Sequence, residues 1–559
     1  MTPRPEIAPA APPQAAPEPV SAPPADAPAA PPAPPPGLPF HQALPYILAS
    51  IVLALTQGLG QGFVSVNIPQ VAGDLGATTT QASWLSAVYM IPRAVLPLML
   101  IKIRTQYGLR RFAESGIVAF LVVSFITIWV TDLRSAMVLQ FLSGMAAAPL
   151  TTLAFLYALE PLGAAWKIRL GLPIALTFIT IGPLLARVVS PALIGDGGLT
   201  WVHLTSLGLA MLSLALVFRL PLRPVPHQKV IEPLDFLTLL LLGIGFGGII
   251  VAFIIGPTYW WTAQDWIGWL LVAAALALTA VAVLELNRKN PIFDLRWLVT
   301  PEILHLTVTL FLFRLILSEQ SAGAPRMFQL LGVAPSQMVG LFTVICIACL
   351  MGGLACVAWI RPDRVAKFHL VALLLIAAGA WLDAQATVDT RPEQMIISQA
   401  LIGFASLLFL TPATLAGLGA ALAKGPQYML SFVIVFLSTQ SIGGVIGSGG
   451  FTTLINWREA FHLQVLTEEL QATSAATMAE IAARMAALAP QIADSALRRA
   501  QAVSSIAQDT ASQAYVMAYN DLYFLTFLLA SGAAVALLLH LLRNRLAARW
   551  APVETETAS

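Results

Sequence analysis

Three arginines stand where a charge is costly. Arg93 follows Pro92 in the apolar run YMIPRAVLPLML, Arg314 lies in LTVTLFLFRLIL, and Arg187 lies in GPLLARVV. At bilayer depth an arginine costs about 2.5–3.5 kcal/mol on insertion scales, so each needs a reason to stay. A guanidinium pairs bidentately with carboxylate or phosphate, and the sequence offers few internal partners. Glu319, in FRLILSEQ, is the one carboxylate that the apolar runs place deep. It follows Arg314 by five residues, a helical offset of roughly 140°, so the two cannot share a face. As a deep titratable acid Glu319 is the candidate to carry a proton, facing a cavity or reaching Arg187; the other reading is an interfacial acid that snorkels to the surface. Glu160 and Asp521 fall at the ends of apolar runs and read as boundary residues.

Polar side chains recur at helical spacing around these charges. Thr307, Arg314, Ser318 and Ser321 share one face, as do Gln57, Gln61 and Ser65, and Gln140, Gly144, Ala147 and Thr151. Either such stripes line a wet, hydrogen-bonding interior, or they glue neighbouring helices together at under about 1 kcal/mol per contact.

The composition decides what surrounds these residues. The chain has 559 residues, 58% hydrophobic and 10% charged, with a mean hydropathy of +0.79. A water-soluble globule could not cover that much apolar surface, so the sequence reads as an all-α polytopic membrane protein. A net charge of +2, dispersed among loops, excludes a nucleic-acid partner. Cys346, Cys349 and Cys356 share one apolar run without a nearby histidine and read as packing residues, so no metal is expected. No cofactor motif and no nucleophile with a neighbouring base is found, and GFGGII lies inside an apolar run, so an enzyme is not expected.

Residues 1–38 are rich in Pro and Ala and are expected to be a disordered tail. No signal peptide is recognised. Apolar runs long enough to cross about 30 Å of hydrocarbon follow, near 44–66, 84–103, 112–131, 135–160, 168–190, 201–220, 234–256, 267–286, 303–323, 338–359, 367–387, 395–421, 429–455 and 521–543. That makes fourteen spans. Basic residues cluster in alternate loops (Lys102, Arg104, Arg110 and Arg111; Lys167 and Arg169; Arg288, Lys289 and Arg296) and after the last span. Both termini are therefore expected to be cytoplasmic. Residues 456–520 form one long outer loop, read as amphipathic helices broken at Pro490. It is either a cap on the bundle or a docking surface.

The runs VNIPQVAGDLGATTTQASWLSAVYMI (66–91), YGLRRF (107–112), LQFLSGMAAAPL (139–150), LLFLTPATLAGLG (407–419) and IGGVIGSGGFTTLINWREAFH (442–462) carry a resemblance in order and spacing. The chain resembles the fourteen-span drug:proton antiporters of the major facilitator superfamily, the EmrB/QacA type. The resemblance implies a major facilitator fold with 14 transmembrane helices, divided into an N-terminal six-helix bundle (39–220), two inserted spans (221–300) and a C-terminal six-helix bundle (301–545) that includes the 456–520 loop. Residues 546–559 would be a cytoplasmic tail. The substrate site would lie between the bundles near the midplane.

Departures from the family pattern sharpen the reading. Gly60 stands where the family carries a first-span aspartate, Gln140 and Gln440 where it often carries arginines, and Arg187 where its fifth-span motif has glycine. The loop motif keeps Gly108, Arg110 and Arg111, and the fifth-span motif keeps Gly171, Gly182 and Pro183; these are candidates for conformational roles. Candidate substrate-binding residues are Gln57, Gln61, Arg93, Gln140, Arg187, Arg314, Ser318 and Gln440.

An excess of cavity arginine over carboxylate points to an anionic cargo. The expected function is secondary active export of amphipathic anions or weak acids by alternating access, coupled to protons, across the bacterial inner membrane. By analogy, a periplasmic membrane-fusion adaptor and an outer-membrane channel are possible partners. The alternatives are an uncoupled or metabolite-specific exporter and a transporter-fold membrane sensor or scaffold.

Overall fold

The computed structural model describes residues 37–194, 198–222, 228–425, 428–470 and 474–550. Residues 1–36, most of the Pro/Ala-rich tail, and 551–559 lie outside them. The long helices are α1 (Phe40–Val66), α2 (Thr79–Tyr107), α3 (Leu109–Thr127), α4 (Leu133–Leu159), α5 (Leu172–Leu193), α6 (Thr200–Arg219), α7 (Pro233–Tyr259), α8 (Asp265–Asn287), α9 (Pro301–Ile316), α10 (Val339–Trp359), α11 (Val365–Asp383), α12 (Ile396–Lys424), α13 (Tyr428–Glu469), α14 (Ala475–Leu488) and α15 (Ser495–Trp550).

Among the described residues, 13 helical segments are long and apolar enough to cross a membrane. They correspond to the runs read from the sequence, with one exception. Helix α3 carries Arg110, Arg111 and Glu114 in its first turns and falls outside that set, although its 19 residues rise about 28 Å.

Helices α1 to α6 pack among themselves, and α9 to α13 do so with α15. The two groups meet along two seams, α2 against α13 and α5 against α10 and α12. On the first seam the Ser438 hydroxyl donates to the carbonyl of Ala94 at 2.9 Å. On the second, Gly353 makes room for Thr177, whose Oγ1 lies only 2.0 Å from where a Cβ would stand. Helices α7 and α8 pack on each other, and α7 lies against both α2 and α13.

Small residues set the closest crossings. A Cβ on Gly58 of α1 would lie 2.6 Å from the Cα of Gly182 on α5, and one on Gly62 would lie 2.3 Å from Ala186. Backbone-to-backbone approach of this kind is how helices gain packing in a lipid solvent. Gly182 and Pro183 are thus placed at the α1–α5 crossing. Gly144 is likewise drawn out of the polar stripe suggested for α4, since a Cβ there would meet the Tyr89 carbonyl at 2.2 Å on α2. Helix α2 begins at a reciprocal cap between Thr78 and Gln81 and ends at Gly108, whose φ of 86° favours glycine. Arg110 pairs with Glu114 one turn on, exposed, and Arg111 is exposed beside it.

Lys102 departs from the expected loop placement. It is buried and binds Asp235 at 2.7 Å. Arg288 joins them, reaching Asp235 at 2.6 Å, Glu285 at 3.0 Å and Glu232 at 3.0 Å. Asparagine 290 donates to Glu232 and offers its carbonyl to Lys102. This network ties α7 and α8 to the end of α2.

The outer loop is mostly a continuation of spans. Helix α13 runs 42 residues, about 63 Å, and α15 runs 56, about 84 Å, each far longer than the hydrocarbon needs. Their extensions and α14 form a helical projection in which Arg484 of α14 binds Asp509 of α15 at 2.7 Å. At its root Asp521 accepts from Arg458 at 2.6 Å and contacts His462 at 2.7 Å.

Candidate functional site: an arginine pair at the seam between the bundles

Helix α2 carries Tyr89, Met90 and Arg93 on successive positions of one face. The Arg93 Nη1 lies 3.8 Å from the Met90 sulfur, and so does the Gln61 amide nitrogen from α1. Gln57, one turn earlier on α1, is buried beside Tyr89, and neither atom of its amide has a well-formed hydrogen bond. Sequence periodicity found Gln57, Gln61 and Arg93 but not Tyr89 or Met90, which look like ordinary apolar-run residues until α1 is placed against them.

Across the seam, Arg314 comes from the last turn of α9. It packs on Gly443 and Gly444 of α13; a Cβ on Gly444 would be 3.0 Å from Arg314 Nη2. Arg93 lies close enough across the seam for the two like charges to repel. Both arginines are half-buried, and Arg314 Nε has no hydrogen-bond partner. Among the described residues no carboxylate lies within ion-pair distance of Arg93, Arg187 or Arg314. Two like charges thus stand near one another at the seam without a fixed counter-ion among the described residues.

The remaining candidates lie elsewhere. Arg187 sits on the α5–α10 seam with its guanidinium 5.1 Å from the centre of the Phe342 ring, a cation–π contact. Gln440, on α13, keeps an unpartnered amide nitrogen. Gln140 lines a cleft inside the first bundle with Gly60, Phe120, Tyr89 and His203. Ser318 turns away from the space: its hydroxyl donates to the Arg314 carbonyl at 3.1 Å, and Gly447 of α13 packs closely on it.

The ninth span is not the continuous helix expected over 303–323. Helix α9 ends at Ile316, and two short turns follow, Ser318–Ala322 and Ala324–Leu330, separated at Gly323. A stripe drawn through Thr307, Arg314, Ser318 and Ser321 therefore loses its register at Leu317. The break turns Glu319 into the second bundle, fully buried, beside Gln399 of α12 rather than Arg187. Nor is Glu319 the only deep carboxylate. Asp383, Asp235 and Glu285 are also buried, because each ends or begins a helix that the bundle covers.

No family model matches the sequence. The multidrug export protein EmrB of Haemophilus influenzae is 23% identical over 503 residues, 86% of this chain and 92% of that protein. EmrB of Escherichia coli strain K12 is 22% identical over 502 residues, with the same shares. The fatty acid resistance protein FarB of Neisseria gonorrhoeae is 25% identical over 254 residues, 45% of this chain and half of that protein. A solved proton-dependent oligopeptide transporter superimposes with a TM-score of 0.54 at 13% identity, over 90% of this chain and 100% of its own. The human organic anion transporter MFSD10 gives 0.52 at 12%, over 88% and 99%. The proton:xylose symporter XylE gives 0.53 at 14%, over 76% and 91%. These three solved structures share the fold.

Over 86% of its length the chain is similar to EmrB-type multidrug export proteins, and it has the fold of the major facilitator transporters. It is a multi-pass membrane transporter of the efflux type, similar to the EmrB proteins of bacteria. Its α2–α13 and α5–α10 seams are where the two helix groups meet. At Gly60, where the resemblance implies an aspartate, a Cβ would lie 3.6 Å from the Phe120 ring. The altered position opens on the cleft inside the first bundle, not on the arginine pair.

Proposed function

We propose that the cargo is an amphipathic organic anion and that the arginine pair, Arg93 and Arg314, binds its head group. The observation that carries this reading is a like-charged pair half-buried between the bundles with no carboxylate beside it. A desolvated guanidinium needs a counter-ion, and a bound carboxylate, sulfonate or phenolate supplies one. Lipophilic cations are repelled by the same charges. Tyr89, Met90 and Gln61 give the head group polarisable and hydrogen-bonding neighbours, Gln57 offers an unpartnered amide, and Arg187 on Phe342 and Gln440 line the approach along the seams. The half-length likeness to a fatty acid resistance protein supports an anionic, chain-bearing cargo.

Export runs by alternating access of the two bundles, 39–220 and 301–545, about the cargo, with spans 221–300 inserted between them in sequence. In this reading α3 is a fourteenth span, both termini are cytoplasmic, and proton entry drives the cycle. The helical projection points into the periplasm. Phe461, Met478, Leu497 and Val503 are exposed along it, an apolar surface suited to a membrane-fusion adaptor that leads to an outer-membrane channel. Gly108, Arg110 and Arg111 shape the cytoplasmic turn that closes when the cargo faces outward.

Transport of anilinonaphthalene sulfonate, a fluorescent and permanently charged amphipathic anion, by purified protein in vesicles tests the reading. Arg93→Ala and Arg314→Ala should each lower uptake steeply. If both leave it unchanged, the arginine pair does not bind the cargo.

A further inference from the structure

The break in the ninth span puts a second charged site inside the C-terminal bundle. Glu319 is fully buried and Asp383, the last residue of α11, is 1% exposed. Between them stand Gln399 and Ser398 in the first turn of α12. The Gln399 amide nitrogen donates to Asp383 Oδ2 at 2.7 Å and lies 3.4 Å from Glu319 Oε1. The Ser398 hydroxyl contacts Asp383 Oδ1 and also lies 3.0 Å from the carbonyl of Met395.

The donors are too few for two carboxylates. Ser398 has one hydrogen and two acceptors around it, while Glu319 Oε2 and Gln399 Oε1 are buried with no partner at all. Among the described residues no lysine, arginine or histidine forms an ion pair with either acid. Among the described residues the other titratable group that interacts with both acids is the buried phenol of Tyr523 on α15, with Tyr519 packed beside it; Arg326, exposed on the Ala324–Leu330 turn, and Glu459 of α13 act on that aromatic wall from outside it. Two buried carboxylates linked through one amide, without a cation, cannot both hold a charge. A proton on Asp383 Oδ1 would donate to Ser398 and free the serine to donate to Met395, which removes the shortage at that end.

We propose that Glu319 and Asp383 share one exchangeable proton and are the proton-carrying site of the transport cycle, taking the place of the first-span aspartate that Gly60 replaces. The inference rests on the reading of this chain as a proton-coupled exporter. The step is a proton transfer: a carboxyl O–H bond forms with a proton taken from water on one side of the membrane and breaks to water on the other. Coupling to cargo is short-range. Glu319 sits on the turn directly after the end of α9, and Ser318, its neighbour, is hydrogen-bonded to the Arg314 carbonyl. A shift of Arg314 on binding an anion therefore moves the turn that carries Glu319 against the fixed Gln399.

Two measurements on the full chain test this. In the first, infrared difference spectra of the purified protein in nanodiscs are followed across pH. A protonated-carboxyl carbonyl band should persist at neutral pH and be lost in Glu319→Gln and in Asp383→Asn. An unchanged band in both variants overturns the proposal. In the second, vesicles with an acid interior are loaded with anilinonaphthalene sulfonate. Wild type should accumulate the probe against its gradient, and each variant should lose that accumulation while still exchanging internal for external probe at the wild-type rate. Gradient-driven accumulation retained by both variants also overturns it. If wild-type protein moves no probe, the anion-export reading fails, and the infrared arm alone still decides the proton site. Glu319→Gln carries the test should Asp383→Asn not fold, because Glu319 Oε2 has no contact to lose.

Discussion

Replacing either seam arginine by methionine should change stability and binding in opposite directions. In Arg314→Met the lost side chain leaves no orphaned carboxylate, since Arg314 has no ion pair and its Nε has no hydrogen bond. What it removes is a half-buried charge that Arg93 repels. Apolar replacement of buried charge commonly stabilises by about 1–4 kcal/mol, and insertion scales put the cost of a central arginine at about 2.5–3.5 kcal/mol. A wet cavity lowers that cost, so a gain of about 1–2 kcal/mol is expected. Arg93→Met should give a similar gain. The double variant should gain less than the sum, because each single change already relieves the mutual repulsion. Binding moves the other way. A hydrogen bond to a charged group is worth about 1.5–3 kcal/mol, so each arginine lost should weaken an amphipathic sulfonate by roughly 10- to 150-fold. Thermal unfolding followed by tryptophan fluorescence, in detergent, gives the first quantity, and titration with anilinonaphthalene sulfonate the second. A clear loss of thermal stability in both single variants would refute the reasoning, because it would mean that each arginine holds the fold together through a partner.

Other perturbations have signs fixed by the packing. Lys102→Ala strands Asp235 between α2 and α7 with Arg288 as its remaining cation; breaking such a buried pair costs about 3–5 kcal/mol, visible as a fall in the unfolding temperature. Gly58→Val forces a branched side chain against the Gly182 backbone, and overpacking of about 1–3 kcal/mol should lower the yield of folded protein on size-exclusion chromatography. Glu232, outside the spans, is held below its ordinary carboxylate range by the Asn290 amide and then by Arg288. Its contribution to stability is present above that ordinary range and lost as pH falls through the folded value. The difference in unfolding temperature between wild type and Glu232→Gln should accordingly shrink on acidification, and a difference that grew would exclude the pairing.

Much of the architecture was legible because bilayer thickness and helical rise leave little freedom. Apolar runs of span length became helices close to where they were read, except that the ninth is broken after Ile316 and α3, with its charged first turns, escaped the apolar criterion. The arginines were legible too, since a charge in an apolar run stands out whatever surrounds it. The partners of those charges were not. Lys102 reads as a loop residue because its counter-ion, Asp235, lies more than a hundred residues away at the start of another helix. Asp383 and Gln399 fall near the ends of the runs 367–387 and 395–421, and only the packing of α11 and α12 on the broken ninth span reveals that they are covered. The break itself has a weak local signal. SEQSAG between two apolar stretches holds no proline, and Gly323 could equally sit inside a helix, so extrapolating the Arg314 stripe into Ser318 followed the period of a helix that had already ended.

The most direct test of the central reading is a matched pair of cargoes, naphthalene sulfonate and naphthyltrimethylammonium, offered to purified protein in vesicles across a pH gradient. They share an aromatic body and differ in the sign of the head group. The arginine pair predicts gradient-driven movement of the sulfonate and little or none of the ammonium. Movement of the ammonium with the sulfonate left behind would contradict it.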